Sequence, residues 1–211
     1  MNLSAMRALV RRDLHDEDAA SYRWSDDELD RHIARAVREA SLAAPLEAKT
    51  DLTTTAGSRD LSLSSLSDRV VVEAVEFPLD QYPPAYVAFS LWGDTLSLLI
   101  DSAPITEQSV RVCYGKLHAL DENGSTLPAA LEDVVATGAA GYAALEWASF
   151  ATNRVNVGGS ETWRDYLVWG EQRLAAFAAA LARCGHRSAV RVRRLYTPAL
   201  SMGAQAGDLQ P

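Results

Sequence analysis

Apolar residues at three- and four-residue steps form two long runs in the second half of the chain, between Leu127 and Gly185. This spacing is typical of amphipathic helices. Alanine recurs at every fourth position through part of the first run, and such rows of small side chains let two helix axes approach closely; the row is Ala136, Ala140, Ala144 and Ala148. Residues 156–160, which include two adjacent glycines, separate the runs. The pattern therefore predicts an antiparallel helical hairpin.

Two shorter helical patterns precede this hairpin. Residues 3–14 place apolar side chains on one side of a helix, and a second helix is predicted to begin after Ser25 and end before Pro45. Ser25 and Glu28 have the spacing of a capping box, in which each side chain accepts a hydrogen bond from the other residue's backbone N–H. Because both helices are too short to be stable alone, we expect them to pack on the hairpin.

From Lys49 the apolar pattern changes towards alternation, which favours β-strands. Strand-like runs lie at 52–55, 61–63, 69–77, 86–92, 95–100 and 110–114. Gly93 and Asp94 stand between two of these runs and predict a two-residue hairpin with glycine in its first position. The region between the second helix and the helical hairpin is therefore predicted to be an inserted antiparallel β module.

The end of the chain is basic and has no helical period. Residues 187–194 contain four arginines and no acid, and apolar side chains alternate with the charges. A tail that only aids solubility needs no apolar residues, so we interpret this segment as an extended arm that docks on an acidic groove of a partner. The residues assigned to the arm are Arg187, Arg191, Val192, Arg193, Arg194, Leu195 and Tyr196.

Together these elements predict an α+β fold: an antiparallel helical bundle with an inserted antiparallel β module and an extended C-terminal arm. The predicted division assigns 1–47 to the N-terminal helices, 48–122 to the β module, 123–186 to the helical hairpin that completes the bundle, and 187–211 to the arm. Strands grouped in one stretch and helices in others are typical of α+β folds.

Charge and composition narrow the possible functions. A net charge of −8 on 211 residues argues against a protein that wraps DNA by neutralising phosphates, but it does not exclude a protein that DNA passes. No apolar stretch is long enough to cross a bilayer, and the N-terminus lacks a signal-peptide core. Cys113 and Cys184 lie far apart without metal-ligand spacing. We expect synthesis in a reducing cytoplasm and no membrane association.

No group of residues has the spacing of a catalytic, metal or cofactor site. The four histidines stand singly, without metal-ligand spacing or a neighbouring nucleophile. Residues 121–132 match a calcium loop only in part, because glycine is at the fourth rather than the sixth position. We interpret them as a turn that leads into a helix. We therefore predict no enzyme activity, no metal and no cofactor.

The tryptophans divide into two groups. Trp163 lies on the apolar stripe of its helix and Trp147 lies close to such a stripe, so both are predicted to belong to the core. Trp169 lies off the apolar face and is predicted to be an anchor in a possible subunit interface.

Four stretches carry a resemblance to a known family: MRALVRRDL at 6–14, YRWSDDEL at 22–29, LPAALE at 127–132, and the alanine-rich hairpin with ATNR at 151–154. With the order helix, helix, β insertion, helical hairpin and basic tail, the chain resembles the head–tail adaptor (connector, or neck) proteins of tailed bacteriophages and prophages. The likeness covers most of the chain. The β module is larger than that of the minimal four-helix adaptors.

This resemblance implies a structural virion protein without catalysis, made in the cytoplasm of the bacterial host and located in the neck. Such adaptors form a ring, usually of twelve copies, under the portal protein, and they are often monomeric alone. The ring extends the DNA channel and offers a surface to the next neck or tail-completion protein. In this chain the helical bundle would form the ring wall, the 187–211 arm would reach the portal, and the β module would contact the next ring, the tail or the capsid. A negative lumen would repel phosphates and let DNA slide without sequence-specific binding.

Two other functions remain open from the residues alone. A nucleic-acid-binding regulator would use the first two helices as a helix-turn-helix, although the link between them is long and acidic and the second helix begins with Asp26, Asp27 and Glu28. A small enzyme would use the β module as its substrate pocket, but no spacing of acids, bases or nucleophiles favours this.

Overall fold

The computed structural model describes residues 1–151 and 162–184. Within them the chain forms four helices and seven strands: α1 Leu3–Asp13, α2 Asp26–Ala43, β1 Leu46–Thr53, β2 Asp60–Ser62, β3 Arg69–Glu76, β4 Tyr86–Val87, β5 Phe89–Trp92, β6 Thr95–Leu98, β7 Ser109–Lys116, α3 Ala129–Ala151 and α4 Thr162–Cys184. The predicted α+β class, with antiparallel sheets inserted between helices, is confirmed. The bend at 156–160 and the 187–211 arm lie outside the described residues.

Helix α3 is the centre of the helical bundle. It is apolar on every side, as expected for a helix that is buried rather than amphipathic, and α1, α2 and α4 all pack against it. The four alanines of the predicted row are each at most 2% exposed. Its other buried residues are Leu131, Val135, Gly138, Ala139, Gly141, Tyr142, Ala143 and Ala151. The α3 pattern therefore buries the middle of the helix, 138–144, on every side.

Helices α3 and α4 run antiparallel and meet through glycines. A Cβ added at Gly141 would lie 2.9 Å from Leu174, and one added at Gly170 would lie 3.0 Å from Leu145. Residues later in α3 therefore contact residues earlier in α4. This is the antiparallel arrangement predicted for the hairpin. The absence of side chains at these glycines is what lets the two backbones come close.

The N-termini of α1 and α2 are capped by local side chains. The Asn2 side chain accepts a hydrogen bond from the Ala5 N–H. At α2, Ser25 and Glu28 form both hydrogen bonds of a capping box, as predicted. Because capping needs only a polar side chain about three residues before its donor, the sequence spacing was sufficient to place it.

The β module consists of two antiparallel sheets, with strand orders β1-β7-β3-β4 and β2-β6-β5. The predicted hairpin at Gly93 and Asp94 joins β5 to β6, where Trp92 pairs with Thr95 and Gly93 has a φ of 58°. The two sheets enclose a second apolar core, formed by Leu61, Leu63, Leu66, Val72, Val75, Leu96, Leu98, Val110, Val112 and Tyr114.

Strand β1 begins at Leu46, ahead of Lys49, where the alternating pattern becomes apparent in the sequence. It lies at the edge of its sheet and pairs only with β7 along its whole length. Its inward side chains are half-buried rather than buried, so they give a weaker apolar signal than the central strands.

The helical bundle and the β module meet at a close contact. Pro45 connects α2 to β1, and a Cβ added at Gly115 in β7 would lie 2.6 Å from the Pro45 Cβ and 3.1 Å from Val71. Nearby, the Ser41 hydroxyl accepts a hydrogen bond of 3.0 Å from the His118 N–H and donates to the Val37 carbonyl. The joint is therefore packed and hydrogen-bonded rather than a free linker.

Replacing Gly115 with alanine should lower the free energy of unfolding by about 1–3 kcal/mol, the usual cost of overpacking, because the new methyl group has no space beside Pro45. Denaturant unfolding measures the loss. The matched control is Gly124→Ala, since nothing lies within 4 Å of a Cβ at that position. Equal stability of the two variants would contradict the proposed tightness of the joint.

Candidate functional site

A buried arginine holds the link between α1 and α2. Arg11 is 5% exposed; its guanidinium donates to Asp16 and to Asp26, each at 2.7 Å, and to the Trp24 carbonyl at 3.0 Å. It also lies 3.6 Å from the centre of the Tyr22 ring. The hydrogen bond from Arg11 holds the pKa of Asp26 below its ordinary value. One carboxylate of the acidic link and one at the start of α2 thus bind a cation of the same chain.

The geometry of this link does not match a helix-turn-helix. Residues 14–25 separate the two helices, whereas that motif has a turn of about three or four residues. The link also folds back on itself, because Asp16 accepts hydrogen bonds from the backbone N–H groups of Arg23 and Trp24, and Arg11 holds both ends of this loop against α1. The first two helices therefore do not support the alternative of a nucleic-acid-binding regulator.

An aromatic cluster joins the link to the helical hairpin. Trp24 is 2% exposed, and its ring centre lies 5.8 Å from that of Trp147 and 6.3 Å from that of Tyr166. The Arg23 guanidinium lies 4.8 Å from the Trp147 ring centre and donates to the Tyr166 hydroxyl. Cation–aromatic contacts of this kind contribute modestly but fix geometry.

The structure confirms one of the two predicted core tryptophans and reveals a buried one that was not predicted. Trp147 is half-buried and packs against the helical core, as expected, but Trp163 is half-buried and lies outside that core. Trp24, which the sequence pattern did not assign, is the buried one. Its neighbours in sequence are polar, so no apolar periodicity marks it, and only the fold brings it against α3, where its indole N–H donates to the Ala143 carbonyl.

Trp169, the candidate interface residue, is half-buried and packs against the helical core. The Arg173 guanidinium lies 4.8 Å from its ring centre, and Arg173 also forms an ion pair of 3.6 Å with Asp13 of α1. The indole is thus partly engaged within the subunit. Its role in a subunit interface stays a prediction.

A second polar cluster lies between α2 and α3. Glu146 binds both Arg31 and His32. The hydrogen bond from Arg31 lowers the pKa of Glu146, and burial lowers the pKa of His32, against the opposing effect of the Glu146 carboxylate. One turn towards the N-terminus of α3, Tyr142 donates to Glu39 at 2.7 Å, and burial together with this bond raises its pKa to about 12. Each of these polar groups has a partner, which indicates a structural role.

The β module exposes apolar side chains at the end remote from the helices. The last pairs of the larger sheet at this end are Thr53 with Ser109 and Glu76 with Arg111. Beyond them lie the loops 77–85 and 99–108, which we call the distal tip. Tyr82 is 99% exposed and Ile105 is 88% exposed there. Residues 70–110 contain six acids and no Lys, Arg or His, so the distal tip is apolar and acidic.

A groove of about 730 Å³ lies at the other end of the β module, against α2. We call it the α2 groove. Its lining is largely apolar and includes Leu3, Ile33, Val37, Leu117 and Leu120. Large exposed apolar regions of this kind mark interaction sites more often than chance.

The described part of the chain contains neither a group of metal ligands nor a membrane-spanning helix. Among residues 1–151 and 162–184, no group of three or more His, Cys, Asp or Glu side chains is placed to hold a metal ion. No helix within these ranges is both long and apolar enough to span a membrane. The predicted arm residues, from Arg187 to Tyr196, lie outside the described residues.

The model of the family described as SU10 adaptor protein matches residues 1–200. No curated protein matches the chain in sequence. Among solved structures, a chain from "Neck of empty GTA particle computed with C6 symmetry" matches with 14% identity and a TM-score of 0.32, over 92% of this chain and 91% of that one. That score is too low to inform the fold or function of this chain.

Arg11→Met should lower the free energy of unfolding by about 3–5 kcal/mol, because it leaves Asp16, with only 7% of its side chain exposed, without its cation. The matched control is the neighbouring Arg12→Met. The Arg12 side chain is 71% exposed, and its ion pair with Glu17 is long, at 3.8 Å. Its loss should therefore change the free energy of unfolding by less than about 0.5 kcal/mol. Urea unfolding of both variants measures the difference, and similar losses would refute the role given to Arg11.

The stability of the protein should decrease as the pH is lowered, because the pKa of His32 differs between the folded and unfolded states. Its pKa is lower in the folded protein than its ordinary value of 6.5, so the unfolded chain binds the proton first as the pH falls. The free energy of unfolding should therefore decrease between about pH 7.5 and pH 5.5. His32→Gln removes the titrating group and should flatten the dependence, whereas His15→Gln, at an exposed position, should not. Equal slopes in both variants would contradict this assignment.

Proposed function

We infer the function of this chain from its family: it belongs to the SU10 adaptor protein family, and it is a head–tail adaptor, a structural component of the virion neck. The observation that carries this conclusion is the family match over residues 1–200. The resemblance drawn from the helical stretches and the alanine-rich hairpin is thereby confirmed.

We further propose that the subunits assemble as a ring under the portal protein, with twelve copies as the expected number. The helical bundle would form the ring wall. Support comes from its construction: residues 138–144 of α3 are all buried, and close glycine contacts fix α4 against this helix. A rigid subunit can repeat the same contact around an axis, which closing a ring requires.

The ring would extend the channel through which DNA leaves the capsid. The net charge of −8 supports this role, because a surface that repels phosphates lets DNA slide rather than adhere. DNA would pass without sequence-specific binding, and the subunit would act without catalysis. Before assembly the chain would be made in the bacterial host cytoplasm.

The 187–211 arm is the proposed attachment to the portal. No acid occurs between Gly185 and Gly207, and arginines alternate with Val190 and Val192. An extended segment of this composition suits an acidic groove, where guanidinium groups bind carboxylates in pairs of hydrogen bonds. The β module, which is joined to the helical bundle at Pro45, would contact the next neck or tail-completion protein.

Ending the chain at residue 186 should abolish binding to a purified portal ring while leaving the circular dichroism spectrum nearly unchanged. Pull-down with the portal measures binding. Replacing Arg191, Arg193 and Arg194 together with glutamine should weaken binding at constant chain length, because the guanidinium groups are lost. A control with Arg12→Gln, an exposed arginine of α1, should bind as the natural chain does. Retained binding by the shortened chain would refute the arm's role.

A further inference from the structure

The distal tip of the β module carries three acids that form no close ion pair. Asp80, Asp101 and Glu107 lie in its two loops, and none of them forms an ion pair with another described residue. The exposed Arg59 reaches the second loop and donates to the carbonyls of Ile100 and Asp101. Tyr82 and Ile105 therefore project from a surface on which three carboxylates outnumber one arginine.

The rim of the α2 groove carries a cation without an acidic partner. Arg38 lines the groove, is exposed, and forms no ion pair within the described ranges. The other arginine of the lining, Arg35, pairs with Glu39. Of the two acids in the lining, Asp30 is paired with Arg7, which binds both of its oxygens, whereas Asp121 accepts from the neutral backbone N–H groups of Asn123 and Gly124.

The tip and the groove of one subunit cannot meet. The groove contains residues 117–121, which follow the end of β7 next to the helices, whereas the tip lies beyond the start of β7. A strand of eight residues spans roughly 25 Å, so the two surfaces lie at opposite ends of the β module. Any contact between them joins two copies of the chain.

We propose that the distal tip of one subunit docks in the α2 groove of the next subunit. Tyr82 and Ile105 supply the apolar surface that the groove accepts, since buried anchors of this kind carry most of the energy of an interface. The acids of the tip lie against Arg38, and such charge pairs fix register and exclude wrong contacts.

A head-to-tail contact of this kind uses two different patches, so it repeats from copy to copy and closes into a ring if the rotation allows. The closure into a ring rests on the proposed function. The contact between the tip and the groove does not rest on it, because this contact can be measured between two subunits in solution.

Cross-linking of two marked chains tests the contact. Both chains carry Cys184→Ser, which removes an exposed thiol and leaves Cys113 buried. One chain carries Thr106→Cys at the tip, which leaves the neighbouring Ile105 in place, and the other carries Ala34→Cys in the groove. With a short bis-maleimide, the mixture should form mixed dimers roughly tenfold faster than a control mixture, because docking raises the local thiol concentration. The control pairs Thr106→Cys with Ser149→Cys, exposed near the far end of α3.

Charge reversal gives a second readout. Arg38→Glu in the groove chain should slow cross-linking, and combining it with Asp80→Lys, Asp101→Lys and Glu107→Lys in the tip chain should restore the rate. Mixed dimers that form no faster than in the control, or a rate unaffected by either reversal, would overturn the contact. Loss of this contact with portal binding intact would leave the proposed function standing. Cross-linking at the expected rate without portal binding would support the contact and contradict the proposed function.

Discussion

The burial of the middle of α3, residues 138–144, on every side is the constraint on which the rest of the structure depends. A helix with apolar residues around its whole circumference must be covered by other elements. Helices α1, α2 and α4 provide that cover, and glycines at 141 and 170 let α3 and α4 pack closely enough to exclude water. Because α2 is fixed in this way, Pro45 and β1 leave the bundle in one direction, and the β module is positioned by its contact at Gly115.

Polar groups then fix the geometry that apolar burial leaves open. Apolar packing is non-directional, whereas the buried Arg11 ties α1, the link and the start of α2 through bonds of defined length. Glu146 does the same between α2 and α3. In these clusters the charges that lie inside the bundle are paired with one another.

The resulting subunit suits a protein whose function is to join other proteins. Its chemistry is separated by region, with a packed and internally paired bundle, an apolar and acidic tip, and an apolar groove with an exposed arginine. A head–tail adaptor of the SU10 family needs rigid parts that meet partners at several faces. Separation of charge within one chain is a simple way to give each face its own partner.

The sequence by itself determined the features that depend on neighbours within a few residues. Helix bounds, the Ser25–Glu28 capping box and the glycine-first hairpin at Gly93 follow from local backbone chemistry. The alanine row predicted the helical hairpin because its period is helical. Only the tertiary structure decided that Trp24 and Arg11 are buried, that β7 lies between β1 and β3, and that a groove and a tip stand at opposite ends of the β module. Those outcomes join residues far apart in the chain, and local spacing carries no information about which apolar surfaces will meet.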